Sequence, residues 1–171
     1  MSEFWDGIWS AYGSSPAVSA NVTVFLTLAG ALLLGLIVGY ERTFNGRAVG
    51  LRTYGLVCMA SAALTTYPSL WHGGHASAPA LADPMRVVQG VVTGIGFLGA
   101  GIIIKDGLNI RGLTTAASVW SSSVIGILVG VGFYGAAISL SALSLACMMW
   151  GHRLEKWLPT HAGIAVVVRF K

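Results

Sequence analysis

The residues best suited to chemistry gather in two short stretches. The first reads Tyr40-Glu41-Arg42-Thr43-Phe44-Asn45-Gly46-Arg47-Ala48-Val49-Gly50-Leu51-Arg52-Thr53, with one carboxylate, three guanidiniums and two glycines. The second reads Lys105-Asp106-Gly107-Leu108-Asn109-Ile110-Arg111-Gly112-Leu113-Thr114-Thr115. Each has an Asn, then an Arg, then Gly-Leu, then Arg-Thr or Thr-Thr where an apolar run begins. Guanidinium forks match phosphate or carboxylate oxygens, and the free N–H groups and dipole at a helix amino terminus favour an anion, with threonines available as caps. Glu41, Arg42, Arg47, Arg52, Thr53, Asn109, Arg111, Thr114 and Thr115 are therefore the candidate binding set. They suit a lipid headgroup, a phosphate-bearing ligand or a partner's acidic residues. A plainer reading stands beside this one, in which the arginines are topology anchors paired with Glu41 and Asp106.

Stepping outward to the elements that position these loops, composition sets the class. Of 171 residues, 55% are hydrophobic and 9% charged, against roughly a quarter charged in a soluble domain. Mean hydropathy is +0.75 and 23 residues are glycine, as in a polytopic membrane protein. No Asp, Glu, Lys or Arg occurs between Asp6 and Glu41, Arg52 and Asp83, Arg86 and Lys105, or Arg111 and Arg153. A bilayer needs roughly 20 apolar residues per helix, so the first three gaps hold one span each and the last holds two. The expected fold is all-α with five transmembrane helices, at Ala20–Tyr40, Thr53–Leu70, Val87–Ile104, Leu113–Val129 and Phe133–Trp150, the last two joined by a tight turn at Gly130, Val131 and Gly132.

Nine basic residues (Arg42, Arg47, Arg52, Lys105, Arg111, Arg153, Lys156, Arg169 and Lys171) fall on one side of such a bundle and Arg86 alone on the other. The positive-inside rule then puts the amino terminus outside and the carboxyl terminus in the cytoplasm. Residues 1–19 lack a signal peptide's basic start, so no cleavage is expected. Their Phe4, Trp5, Ile8, Trp9 and Tyr12 recur at helical spacing, as in a short interfacial helix. Residues 20–151 form the transmembrane domain, and 152–171 a cytoplasmic linker. Both arginine loops face one side, which makes the chain resemble a parallel hairpin repeat. Gly94, Gly96, Gly99 and Gly101 are expected to pack a central third helix against its neighbours, or against a second copy, and Gly35/Gly39 in the first span and Gly126/Gly130 in the fourth form small-xxx-small pairs that let backbones approach closely.

Other chemistries have weaker footing. His72 and His75 are an incomplete zinc set in an external loop. Ser121, Ser122 and Ser123 share their span with no His, Lys or Asp to act as a base. No lysine-serine or lysine-threonine pair follows the glycine-rich run, as a phosphate loop requires. No enzyme activity, cofactor, resident metal or nucleic-acid partner is expected. Mg²⁺ favours octahedral oxygen ligands with one or two carboxylates. The spans contain none, and an arginine-rich face repels a divalent cation, so direct transport ranks below regulation.

Gly39-Tyr40-Glu41-Arg42, Gly46-Arg47, Gly50-Leu51-Arg52-Thr53, Gly94-Ile95-Gly96-Phe97-Leu98-Gly99-Ala100-Gly101 and Arg111-Gly112-Leu113-Thr114-Thr115-Ala116-Ala117-Ser118-Val119-Trp120 together closely resemble the MgtC/SapB family, over roughly residues 25–150. The resemblance implies a bacterial inner-membrane protein linked to magnesium limitation and, in pathogens, to survival inside host phagocytes. Members have been labelled magnesium transporters, and some are read as restraining the ATP synthase. Many members continue into a cytoplasmic domain resembling the ACT fold. Here the strand-like Gly163-Ile164-Ala165-Val166-Val167-Val168-Arg169-Phe170-Lys171 comes last, so a missing or truncated domain is expected. The reading is a multi-pass regulatory factor in contact with membrane lipid, a protein partner and a second copy of itself, with dimers favoured. The alternative is a transporter or channel for Mg²⁺ or another ion.

Sidedness is directly testable. On a background lacking Cys58 and Cys147, cysteines at positions 21, 75 and 131 should label from outside intact cells, and those at 46, 107 and 160 only after permeabilisation. Outside labelling at position 46 would reverse the assignment.

Overall fold

The computed structural model describes residues 16–74, 84–107 and 109–157. The aromatic segment before residue 16, His75 with Asp83, and the run after Trp157 lie outside those residues. Among the described residues there are five long helices: α1 (Pro16–Phe44), α2 (Leu51–Gly74), α3 (Pro84–Ile102), α4 (Leu113–Val131) and α5 (Tyr134–Trp157). Four of them are long and apolar enough to cross a membrane, over Val18–Phe44, Met85–Ile102, Leu113–Val131 and Tyr134–Gly151. At 1.5 Å per residue the 29-residue α1 is about 43 Å long, well beyond the ~30 Å hydrocarbon layer. It continues to Phe44, four residues past the expected end at Tyr40.

Two boundaries correct the sequence reading. The third helix ends at Ile102, because Ile104–Asp106 forms β1 and pairs antiparallel with β2, Asn109–Arg111, in the register Ile104 to Arg111 and Lys105 to Ile110. The isoleucine run there suits a strand as well as a helix, and the Asp106-Gly107 step supplies the turn, with Gly107 at φ 60. The second correction concerns the α4–α5 turn. Gly132, at φ 91, caps α4 in the left-handed region. Its N–H donates to the Val129 carbonyl at 3.1 Å, and the Phe133 N–H to that of Leu128 at 2.8 Å, which closes the helix in a Schellman arrangement. Gly130, expected in the turn, lies inside the helix.

The centre of the bundle is α4, which packs against all four other helices. Beside the branched Val119, Ile125, Ile127 and Val129, its buried residues include a small and hydroxylated set, Ala116, Ser118, Ser122, Ser123, Gly126 and Gly130. This face lets two backbones touch. A Cβ on Gly126 would collide with the Cys58 carbonyl oxygen, and one on Gly130 with the Thr65 hydroxyl. Across the next interface, a Cβ on Gly35 of α1 would stand 2.7 Å from the Tyr54 carbonyl oxygen of α2. The close approach brings hydroxyls into range of one another. Tyr54 Oη lies 2.7 Å from Ser118 Oγ, Ser61 Oγ lies 3.0 Å from Ser123 Oγ, and Ser122 Oγ donates to the Tyr54 carbonyl at 3.2 Å. Ser118 itself donates to the Thr115 carbonyl at 2.8 Å, so the Tyr54 hydroxyl is the donor to Ser118. Thr27 and Thr66 bond the carbonyls four residues back, at 2.9 and 2.7 Å, which satisfies them within their own helix.

The expectation of a central third helix is therefore corrected. In α3 only Ile95 is buried among the described side chains. A Cβ on Gly94, Gly96 or Gly101 meets no atom of the chain within 4 Å, and one on Gly99 only Ala116 Cβ at 3.8 Å. Within the chain the α3 glycines do not carry the helix contacts; what matters there is whether the glycine face also carries polar side chains that a partner helix can satisfy. The face of α4 does.

Leu at Gly126 or Gly130 should abolish folding in detergent, since the obstructing atoms belong to α2 backbone and a tightly held threonine; overpacking of even a few methylenes costs about 1–3 kcal/mol. Gly96→Leu should leave the melting temperature of the folded chain nearly unchanged. Thermal unfolding followed by size-exclusion recovery reads both, and a normal melt for Gly126→Leu would contradict the packing.

Candidate functional site

The carboxyl ends of α1 and α3 and the amino ends of α2 and α4 lie at the arginine-bearing end of the bundle, where the hairpin joins α3 to α4. The α1–α2 connection is short because its helices already touch there: a Cβ on Gly39 would lie 3.0 Å from the Leu51 Cα and carbonyl oxygen. Thr43 clamps the join. Its hydroxyl donates to the Gly39 carbonyl at 3.0 Å and accepts the Leu51 N–H at 2.8 Å, capping the first turn of α2 from the preceding helix. Gly46, at φ 64, takes the turn, with the Arg47 N–H returning to the Arg42 carbonyl at 3.1 Å.

Consecutive helix positions point about 100° apart, and at Glu41-Arg42 this separates two charges onto two faces. Arg42 turns inward and is only 3% exposed. Its Nη2 donates to the Thr114 carbonyl of α4 at 3.4 Å, which ties α1 to the start of the central helix. Glu41 turns to a groove between α1 and α5 lined by Tyr40, Phe44, Asn45, Leu145 and Met149. Its Oε1 accepts from Asn45 Nδ2 at 2.7 Å. Its Oε2 stands 3.6 Å from Arg42 Nε, close enough for charge attraction but outside hydrogen-bond reach, and both atoms are buried without a hydrogen-bond partner. Tyr40 and Phe44 stack beside the pair with ring centroids 6.3 Å apart.

Of the nine residues expected to bind, the structure thus joins Glu41, Arg42 and Thr114. Thr115 is buried one residue further on, where its carbonyl accepts from Ser118. Arg47, Arg52, Thr53, Asn109 and Arg111 are exposed, and among the described residues none of their side chains hydrogen-bonds or ion-pairs with another residue of the set. The threonines do not cap as expected: α4 starts at Gly112, at φ 89 with no side-chain cap, because a Cβ there would run into the Ile102 carbonyl oxygen. Thr43 and Asn45 are the residues the sequence reading missed. An Asn-Gly step just beyond a helix end was the available signal for both.

The described residues contain no cluster of three metal-ligating side chains. What the arrangement offers is a buried, partly paired guanidinium inside the bundle and three exposed guanidiniums at its end. These can meet phosphate or carboxylate oxygens.

A sequence profile of the MgtC family matches residues 28–157. Protein MgtC of Brucella abortus (strain 2308) is 48% identical over 101 residues, which cover 59% of this chain and 40% of that protein. Protein MgtC of Salmonella typhimurium (strain LT2) is 39% identical over 125 residues, 70% of this chain and 48% of that protein. The chain spans less than half the length of these curated relatives. No solved structure matches it.

Removing one partner of a buried ion pair costs about 3–5 kcal/mol, whereas exposed charges contribute about 0–1 kcal/mol. Arg42→Ala should therefore lower the melting temperature of the detergent-purified chain sharply, with Arg42→Ala/Glu41→Gln partly restoring it, while Arg47→Ala and Arg111→Ala should melt like the parent. Equal melts for Arg42→Ala and Arg47→Ala would show that Arg42 is not held as described.

Proposed function

The chain belongs to the MgtC family, and from that premise we propose that this membrane protein is a regulatory factor of the bacterial inner membrane. It supports adaptation to low magnesium and, in a pathogen, survival inside host cells. It acts by contacting other membrane proteins, the ATP synthase among them, at its arginine-rich cytoplasmic end. The observation that carries this reading is the exposure of Arg47, Arg52 and Arg111, without an ion-pair partner among the described residues. Such guanidiniums are free to meet a partner's carboxylates. Homodimerisation through the exposed glycines of α3 belongs to the same reading, as their bare backbone admits a second helix closely.

A transport reading has one observation in its favour, the row of hydroxyls from Tyr54 and Ser118 through Ser61 and Ser123 to Thr65 along the α2–α4 contact. These groups bond one another inside a contact where the backbones touch at Gly126 and Gly130. A hydrated divalent cation, which gives up its waters reluctantly, would need that contact to open. Regulation is therefore the better supported of the two.

In a strain dependent on this protein at low Mg²⁺, Arg47→Ala or Arg111→Ala should remove growth support while the protein inserts at normal level. Lysine should restore it poorly, because a point charge lacks the guanidinium fork. Full growth with lysine at 47, 52 and 111 together would reduce these residues to topology anchors, which the positive-inside rule counts alike. Sealed liposomes bearing the chain alone should show no Mg²⁺ flux above empty ones, and clear flux would favour the transporter.

A further inference from the structure

Beside the buried Arg42 lies a cavity of about 280 Å³ between α1, the first turns of α4 and the middle of α5. Its walls are of two kinds. Arg42, Thr114 and Ser144 supply polar groups, and Leu140, Leu143 and Met148 supply an aliphatic side. The guanidinium has five N–H donors, of which one makes a hydrogen bond, the long one to the Thr114 carbonyl, and Nε makes none. Glu41 does not use the others, since its nearest oxygen is 3.6 Å from Nε and its second is taken by Asn45. Thr114, in the first turn of α4, lines the same cavity, where the positive end of that helix's dipole favours an anion. A buried cation with unused donors, next to a helix amino terminus, calls for an anion.

We propose that this cavity binds the phosphate of an anionic phospholipid, with the Arg42 guanidinium on the phosphate oxygens and the upper acyl chain along Leu140, Leu143 and Met148. Three features select a lipid over a free anion. The aliphatic wall gives inorganic phosphate nothing to contact. The volume lies just under the roughly 300–1,000 Å³ of whole-ligand pockets, which fits a headgroup and the start of a chain. Arg42 is two residues from the end of a helix longer than the hydrocarbon layer is thick, so its depth is that of lipid phosphates, where basic pockets between helices take anionic headgroups. The site is separate from the outward arginines and does not depend on their role.

The test uses the full chain, delipidated in detergent and examined by native mass spectrometry after incubation with phosphatidylglycerol, with phosphatidylcholine of identical chains, or with inorganic phosphate. One phosphatidylglycerol should be retained with at least tenfold preference over phosphatidylcholine. Arg42→Gln should lower that retention at least tenfold, and Lys105→Gln, an exposed charge elsewhere at the same end, should not change it. Ser144→Leu, which fills the cavity while leaving the guanidinium in place, should also abolish retention and carries the test if Arg42→Gln does not fold. Equal retention of the two lipids, or phosphatidylglycerol held as well by Ser144→Leu as by the parent, would overturn the proposal. Displacement of the lipid by millimolar phosphate would overturn it in favour of a free-anion site.

Discussion

A hydroxyl or amide surrounded by hydrocarbon cannot turn to water, and leaving one unpaired costs several kcal/mol. The contact between α2 and α4 meets that constraint. Gly126 and Gly130 let the two backbones touch, and only at that separation can Tyr54 reach Ser118 and Ser61 reach Ser123. Interhelical hydrogen bonds of this kind contribute about 0.6–2 kcal/mol each, so it is their number along one seam, together with close packing, that fixes the register of the pair. α1 then packs through Gly35 and Gly39 onto α2 and also touches α4, and α3 and α5 lie against α4.

From that seam the charged end follows. With α1 held against α2 by Gly39 and closed by the Thr43 clamp, the last turn of α1 has one orientation, which points Arg42 to α4 and Glu41 to α5. A guanidinium at this depth is tolerated because a carbonyl, a nearby carboxylate and a cavity wall surround it. The exposed Arg47, Arg52 and Arg111 meet no such requirement. Two classes of arginine, indistinguishable by type, thus arise from one loop pair: one kind shapes the interior, the other lies exposed at the end of the bundle.

The paired loops also show how similar words take different shapes. Asn-x-Arg, or Asn then Arg, followed by Gly-Leu occurs in both, yet the first becomes a clamped turn and the second part of a β-hairpin. The difference lies in what each joins. Between α1 and α2 the helices touch at Gly39 and Leu51, leaving space only for a turn. Between α3 and α4, α3 packs loosely along its length, and Ile104–Asp106 finds its backbone partners in Asn109–Arg111.

By itself the sequence determined the class, the number of long helices, the approximate position of each and the gathering of arginines at one end, because burying a charge in hydrocarbon is costly enough to write its pattern directly into the charge spacing. The family was legible too, since its motifs are spaced loops rather than composition. Which glycines form contacts was legible in part: the Gly35/Gly39 and Gly126/Gly130 pairs are spaced for close helix contact and do pack within the chain, whereas Gly94, Gly96, Gly99 and Gly101 meet almost nothing there, and nothing in one dimension told the two groups apart. Nor could the sequence separate Arg42 from Arg47, or find Thr43 as the cap of a helix eight residues away. Those outcomes depend on the rotation of each helix about its axis. No charged stripe runs along the spans to set that rotation, and the mutual satisfaction of hydroxyls, carbonyls and one guanidinium between neighbouring helices, with close packing at the glycines, decides it.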